Sequence, residues 1–151
     1  MRDVEVLIAT RDIMTLKAQY FRFVDTRQWD SFQALFEPDA TLFFPEGQDK
    51  PANLTDSLAF IKVVLQGTVS VHSGHSPEIS VDSSTAARGI WGMEDRIYWS
   101  SEAAASSGLE YLNGFGHYHE EYVRHDDRWL FKSLKLTRLR VEKRTAPRAV
   151  A

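Results

Sequence analysis

Two carboxylates stand where apolar residues are expected, and any chemistry would start from them. In Thr85–Ser100, alternation puts Ala87, Gly89, Trp91, Met93, Asp95, Ile97 and Trp99 on one face of a strand, with Arg88, Ile90, Glu94, Arg96 and Tyr98 on the other. An Asp among tryptophans on an apolar face must be hydrogen-bonded, paired or protonated, because burying a bare carboxylate is prohibitive. Asp95 is therefore either a structural anion met by an Arg or a backbone amide, or part of a site. Asp25 lies near the end of a long amphipathic helix, on its core-facing arc, five residues after Tyr20. The two side chains sit roughly 140° apart on an ideal helix, so both border one cavity only if it wraps around the helix end. The plainer alternative for Asp25 is a bond to a loop amide.

Histidines are the third candidate group. His72 and His75 occur in Val-His-Ser-Gly-His-Ser-Pro, and His117 and His119 in Gly-His-Tyr-His-Glu-Glu. His117, His119 and Glu121 share a strand face. A His-x-His of this kind can bind a divalent cation, but without a defined third and fourth ligand its specificity is low. Outer-face strand histidines are the simpler account, and no metal or other cofactor is expected. A Ser-His-Asp hydrolase is rejected for want of Gly-x-Ser-x-Gly and of α/β alternation. Gly114 and Gly116 suggest a bend or close backbone approach, since the strand–glycine-rich–helix order of a nucleotide site is absent.

The elements that must position these groups read as helices first and sheet afterwards. Residues 3–27 form one amphipathic helix, its apolar arc holding Leu7, Ile13, Leu16, Tyr20, Phe21 and Val24. Lys17 also lies on that arc, either bridging to a sheet carboxylate or reaching solvent past the helix flank. A short helix over Trp29–Phe36 is expected, with Asp30 as N-cap, followed by a strand over Ala40–Phe44 and a loop over Glu46–Asn53. Leu54–Gln66 gives a third helix, ended by Gly67. Val69–Val81 is a strand interrupted at Gly74 and Pro77. Thr85–Ser100, Leu109–His125 and Arg128–Val141 are long strands, broken at Asp82–Ser84, Ser101–Gly108 and Asp126–Asp127. The domain ends near residue 142, and 143–151 is expected to fray. The fold class is α+β, with helices packed on one face of a curved antiparallel sheet.

Composition limits the functions available. A chain of 151 residues is one domain, and its aromatic content of 12% can fill a core and still line a cavity. Eighteen Lys+Arg against 21 Asp+Glu leave a net charge of -3, with no electrostatic drive toward nucleic acid or anionic membrane. The absence of cysteine excludes disulfides, thiolate metal sites and thiol nucleophiles. With no signal-type or membrane-length apolar run, a cytoplasmic location is expected.

These pieces together resemble the SnoaL-like branch of the nuclear transport factor 2-like superfamily, over about residues 5–142. The resemblance is carried by Tyr20-Phe-Arg-Phe-Val-Asp25-Thr-Arg-Gln-Trp29-Asp30, His72-Ser-Gly-His75, Gly89-Ile-Trp91-Gly-Met-Glu-Asp95 and Gly116-His-Tyr118-His-Glu-Glu-Tyr122. It implies a cone-shaped, strongly curved antiparallel sheet closed by three N-terminal helices around an apolar pocket. Within the family the chain looks most like lyases of the scytalone dehydratase and bile-acid 7α-dehydratase type. That likeness pairs Asp25 with His72 and adds Tyr20, Asp95 and, from the last strand, Arg138, with Lys135 and Arg140 close by. The second His of scytalone dehydratase has no counterpart here, since Asp95 stands near its place.

The implied chemistry is cofactor-free elimination or isomerisation. His72 acts as general base, Asp25 fixes its tautomer, and Tyr20 donates to a carbonyl or leaving oxygen. Asp95, if held neutral, could act as an acid, and Arg138 would anchor an anionic end of the substrate or neutralise Asp95. Phe21, Trp91, Met93, Trp99, Phe115, Tyr118 and Leu136 are the expected lining for a hydrophobic ring system such as a steroid, terpenoid or aromatic polyketide. A non-catalytic binding or dimerisation module of the same fold is the alternative, and a metal enzyme built on the histidines is a third reading. A homodimer or homotrimer is expected, with Ile90 and Tyr98 on the outer sheet face.

Overall fold

A computed structural model describes residues 1–146. Helix α1 spans Asp3–Asp25 and buries Ala9, Ile13, Leu16, Tyr20 and Val24 along one stripe, with Lys17 buried among them. It ends at Thr26, and Arg27 follows in the left-handed region at φ 59°. Helix α2 is shorter than expected, Trp29–Gln33, and its N-cap is Gln28; Asp30 lies in its first turn. Strand β1 accordingly begins earlier, at Phe36, and runs to Phe43. Pro38 is accommodated in this strand, whose pairing with the last strand is irregular between Phe36 and Thr41. A two-residue strand β2, Ala52–Asn53, leads into helix α3, Leu54–Val64, where the Asn53 side chain accepts from the Asp56 amide.

The remaining strands are β3 (Thr68–Val81), β4 (Ala86–Trp99), β5 (Leu109–His125) and β6 (Arg128–Thr145). Between β4 and β5 the structure has a further helix in place of a simple break: α4, Ser101–Ser107. Its signals are the Ser100 hydroxyl accepting from the Ala103 amide, the alanines, and Gly108 at φ 75° just past the end. Lys143–Thr145 continue β6, paired with β5, in place of the expected frayed start of the tail. The rest of that tail, after residue 146, lies outside the described residues.

One sheet holds all six strands in the order β2-β1-β6-β5-β4-β3. Every pairing is antiparallel except β1 with β6, which is parallel. Strands of 14 to 18 residues carry register shifts at His75/Glu78, Phe115/Gly116 and Glu121/Tyr122, and such bulges bend a sheet. The result is the α+β architecture of a curved open sheet whose concave face is covered by helices. α1 packs against β3 and β6, and α3 against β1. Behind the cavity the core is aromatic: Phe36 stacks on Phe131 at 5.0 Å, and Tyr20 meets Phe32, Phe36 and Phe131 edge-on or tilted. Ile90 and Tyr98 face outward and are exposed. None of the described helices is long and apolar enough to cross a membrane.

Candidate active site

Asp25 closes helix α1 and His72 lies early on β3; the structure brings them together. The Asp25 Oδ1 is 2.6 Å from His72 Nδ1, and Oδ2 accepts from the His72 main-chain N–H at 2.8 Å. Ser70, two residues earlier on the same strand face, donates its hydroxyl to Oδ1 at 2.8 Å. This geometry follows from the helix end. Because Arg27 turns the chain at positive φ, its guanidinium reaches back to the Val24 carbonyl and across to the Thr68 carbonyl and Ser70 hydroxyl. The arginine thus ties α1 to β3 at the level of the dyad. An Nδ1–H donating to the carboxylate leaves Nε2 as the basic nitrogen. Nε2 makes no hydrogen bond among the described residues, and His72 lines a cavity between the helices and the sheet.

The cavity has a volume of about 280 Å³ and is walled by three layers. Tyr20 and Val24 come from α1, and Phe60, Ile61, Val64 and Leu65 from α3 and its end. Asp95, Ile97, Trp99, Leu112, Tyr118, Leu136 and Arg138 come from the concave sheet face. Tyr20 lines this space directly, and Asp25 reaches it through His72. Of the expected lining residues, Trp99, Tyr118 and Leu136 are present. Trp91 and Met93 are buried in the core away from the cavity wall, with Trp91 Nε1 donating to the Tyr122 hydroxyl at 2.9 Å. Phe21 packs over Gly74 and Tyr118 instead of lining the cavity. Phe115 is on the opposite face of β5 from the wall residues Leu112 and Tyr118, in register with Glu94.

Asp95 is buried, and its chemistry differs from that of a neutral acid. Arg138 Nη1 and Nη2 donate to its two oxygens at 2.9 Å each, a bidentate pairing with an anion. The third guanidinium nitrogen, Nε, donates to Glu46. Burial works against the Arg138 charge, yet the bonds from Asp95 and Glu46 outweigh it and raise its pKa above the usual arginine value. With its nitrogens engaged by protein carboxylates, Arg138 neutralises Asp95 and is not free as an anchor for substrate. Gly114 makes this possible: a Cβ there would lie 2.2 Å from both Arg138 Nη1 and Asp95 Oδ1. Lys135 and Arg140, the other basic candidates on β6, are absent from the cavity wall.

Sequence reading missed Glu46, Lys143, the α3 residues of the lining, and also Val24, Phe44, Ile97, Leu109 and Leu112. Phe60, Ile61 and Val64 follow a helical apolar spacing that could have assigned them to the wall; Glu46, in a polar loop, carried no such signal. His75, His117 and His119 stay outside the cavity wall, and no group of three His, Asp or Glu among the described residues is placed to hold a metal ion.

With this fold and geometry in place, the comparisons are consistent. Residues 5–135 match the SnoaL-like domain, and the chain belongs to that family, within the nuclear transport factor 2-like superfamily. It is 28% identical over 137 residues to "Probable cyclase FGR4" of Gibberella zeae, an alignment covering 84% of this chain and 89% of that protein. Among solved structures it is similar to a "Putative Scytalone Dehydratase" from Novosphingobium aromaticivorans, with 19% identity, a TM-score of 0.79 and coverage of 98% and 97% of the two chains. It is also similar to hexachlorocyclohexane dehydrochlorinase LinA-type3 from Novosphingobium barchaimii, with 18% identity, a TM-score of 0.78 and 99% of each chain covered. At these identities the two structures establish the fold.

Proposed function

We propose that this protein is a cofactor-independent lyase of the dehydratase type, or an isomerase, acting on a hydrophobic ring-type small molecule such as a steroid, terpenoid or aromatic polyketide. The observation that carries the reading is the Asp25–His72 pair, with Nδ1 held at 2.6 Å and Nε2 left at an apolar cavity. His72 Nε2 takes a proton from carbon next to a carbonyl, and the C–H electrons move into an enolate. The imidazolium formed is stabilised by Asp25. In elimination the enolate expels hydroxide from the β-carbon, which leaves as water with the proton from His72. In isomerisation the same proton returns to a different carbon. Tyr20 is suited to donate to the developing oxygen, since burial raises its pKa and keeps it protonated.

The test is a screen of ring-shaped hydroxy-ketones for loss of water by mass spectrometry, on wild type, His72→Ala and Asp25→Asn. Both variants are expected to lose turnover while keeping the wild-type circular dichroism spectrum. Normal activity in either, or recovery of every bound ligand unchanged, refutes the reading and favours a binding module.

A further inference from the structure

Arg27 is placed and bonded in a way that joining α1 to β3 does not by itself explain. It stands at φ 59°, in the left-handed region where Gly or Asn is the ordinary choice, so the backbone is strained to keep this side chain here. The other two buried cations of the inner face are met by carboxylates: Lys17 of α1 by Glu120 of β5, and Arg138 by Asp95 and Glu46. Arg27 has no carboxylate partner among the described residues, and every group that accepts from it is neutral. Nη1 donates to the Val24 carbonyl at 2.7 Å and to the Ser70 hydroxyl at 2.8 Å, and Nη2 to the Thr68 carbonyl and hydroxyl, each at 2.9 Å. These bonds give the two hydroxyls a direction, because an oxygen that accepts from an arginine turns its own hydrogen elsewhere. Thr68 donates to the Leu65 carbonyl at 2.8 Å, and the buried Ser70 donates to Asp25 Oδ1 at 2.8 Å. That Asp25 oxygen is the one that holds His72 Nδ1.

We propose that Arg27 and Ser70 are positioning residues of the dyad: a hydrogen-bond relay that draws negative charge off Asp25 and so limits how firmly the carboxylate holds a proton on His72. This rests on the reading of His72 as a base that takes a proton and gives it back. Such a base works best when its grip on the proton suits both steps. A carboxylate 2.6 Å from the ring, with nothing to share its charge, would favour the first step over the second. Ser70 shares that charge, since two donors on one carboxylate oxygen compete for it. Arg27 enlarges the Ser70 share, because a hydroxyl that accepts from a cation is polarised into a better donor. The guanidinium also acts through space: burial lowers its pKa and the charge of Asp25 raises it, so the two ions sense each other without a direct ion pair. On the other side, the His72 main-chain N–H donates to Oδ2 at 2.8 Å, so both carboxylate oxygens face donors. Neither Arg27 nor Ser70 lines the cavity, and both act on a substrate only through His72.

The experiment reads the hydrogen between Nδ1 and Asp25 directly, as its proton NMR resonance in protein carrying isotope-labelled histidine, assigned by its absence from His72→Gln. A stronger bond moves this resonance downfield. Ser70→Ala and Arg27→Met are each expected to move it downfield of wild type, because the Asp25 charge is then shared less. Arg27→Lys keeps the cation and should stay closer to wild type than Arg27→Met does. The double variant Arg27→Met/Ser70→Ala should move by less than the sum of the single shifts, since Arg27 works in part through Ser70. A merely structural Arg27 gives the opposite sign: a loosened end of α1 lengthens the bond, and the resonance moves upfield or is lost to exchange. That result overturns the proposal. So do additive shifts, an unmoved resonance in Ser70→Ala, an Arg27→Lys shift as large as that of Arg27→Met, or a wild type without the resonance. Ser70→Ala removes one oxygen and leaves Arg27 in place, so it carries the test even if Arg27→Met fails to fold. No substrate is present, and the result does not depend on what His72 acts upon. Downfield shifts in a protein that dehydrates no hydroxy-ketone remove the lyase reading alone.

Discussion

Two carboxylates serve the same cavity and behave in opposite ways. Asp95 is enclosed by Arg138, which directs Nη1 and Nη2 to it and Nε to Glu46, so all three guanidinium nitrogens are engaged within the protein. Asp25 instead holds one ring nitrogen of His72 and leaves the other toward the cavity. A fully bonded cluster is wall; a half-bonded one retains capacity for reaction. The contrast separates the two anomalies of the sequence, which look alike on an apolar face, by what their partners have left over.

The comparison breaks most visibly in rate and stability measured side by side. Asp25→Asn should lower turnover by roughly 10²–10⁴-fold and leave the urea midpoint close to wild type, whereas Arg138→Met should do its damage to stability. Stranding Asp95 without its cation is expected to cost about 3–5 kcal/mol in urea unfolding, and Asp95→Asn in the same chain should return much of it. A smaller loss, about 1–3 kcal/mol, is expected for Gly114→Ala, because the added methyl pushes on both partners of the ion pair. An Arg138→Met variant of wild-type stability would show that the cluster is not structural.

The buried Lys17 sharpens the same distinction through pH. Burial, only partly offset by Glu120, pushes its pKa down to about 8, against 10.5 for an ordinary lysine. Between those values the unfolded chain binds more protons than the folded one, so stability rises with pH. The buried Tyr20, Tyr118 and Tyr122 are pushed above 10, so beyond that pH the folded chain keeps protons that the unfolded chain loses, and stability falls. These four groups therefore favour a stability maximum near pH 10. Urea unfolding of wild type and Lys17→Met/Glu120→Gln should diverge between about pH 8 and 10, with the rise missing from the variant. The smallest effect is at the surface: Arg88→Ala breaks an exposed bridge to Asp82 and should leave the melting temperature unchanged.

The dyad was legible only through the family resemblance, which pairs an Asp at the end of the first helix with a His on the strand after α3; spacing alone left Asp25 and His72 as separate candidates. The anomaly at Asp95 was also legible, since alternation on β4 holds over its whole length. What alternation alone could not convey was depth. Trp91 and Met93 share the inner face with Asp95 yet lie in packed core, because the cavity occupies only the end of the cone near Trp99 and Leu112. Phe115 pairs with Glu94 on the outer face, and the flanking Gly114 and Gly116 are the inner-face residues, kept small by Arg138 and the Thr137 carbonyl. Lys17 shows the limit most clearly. Its place on the apolar arc was evident, but its partner is 103 residues away and only the folded sheet selects Glu120 over solvent.

The parallel pairing of β1 with β6 has a consequence for how the molecule comes to exist. As the chain leaves the ribosome, α1, α3 and β1 appear early, while β6 is the last of the described strands to emerge. Until it arrives, β1 and β5 each offer an unpaired edge to other chains, and Asp95 has no Arg138 to answer it. The seam that completes the cavity is thus also the one whose late closure leaves two strand edges open for pairing with other chains.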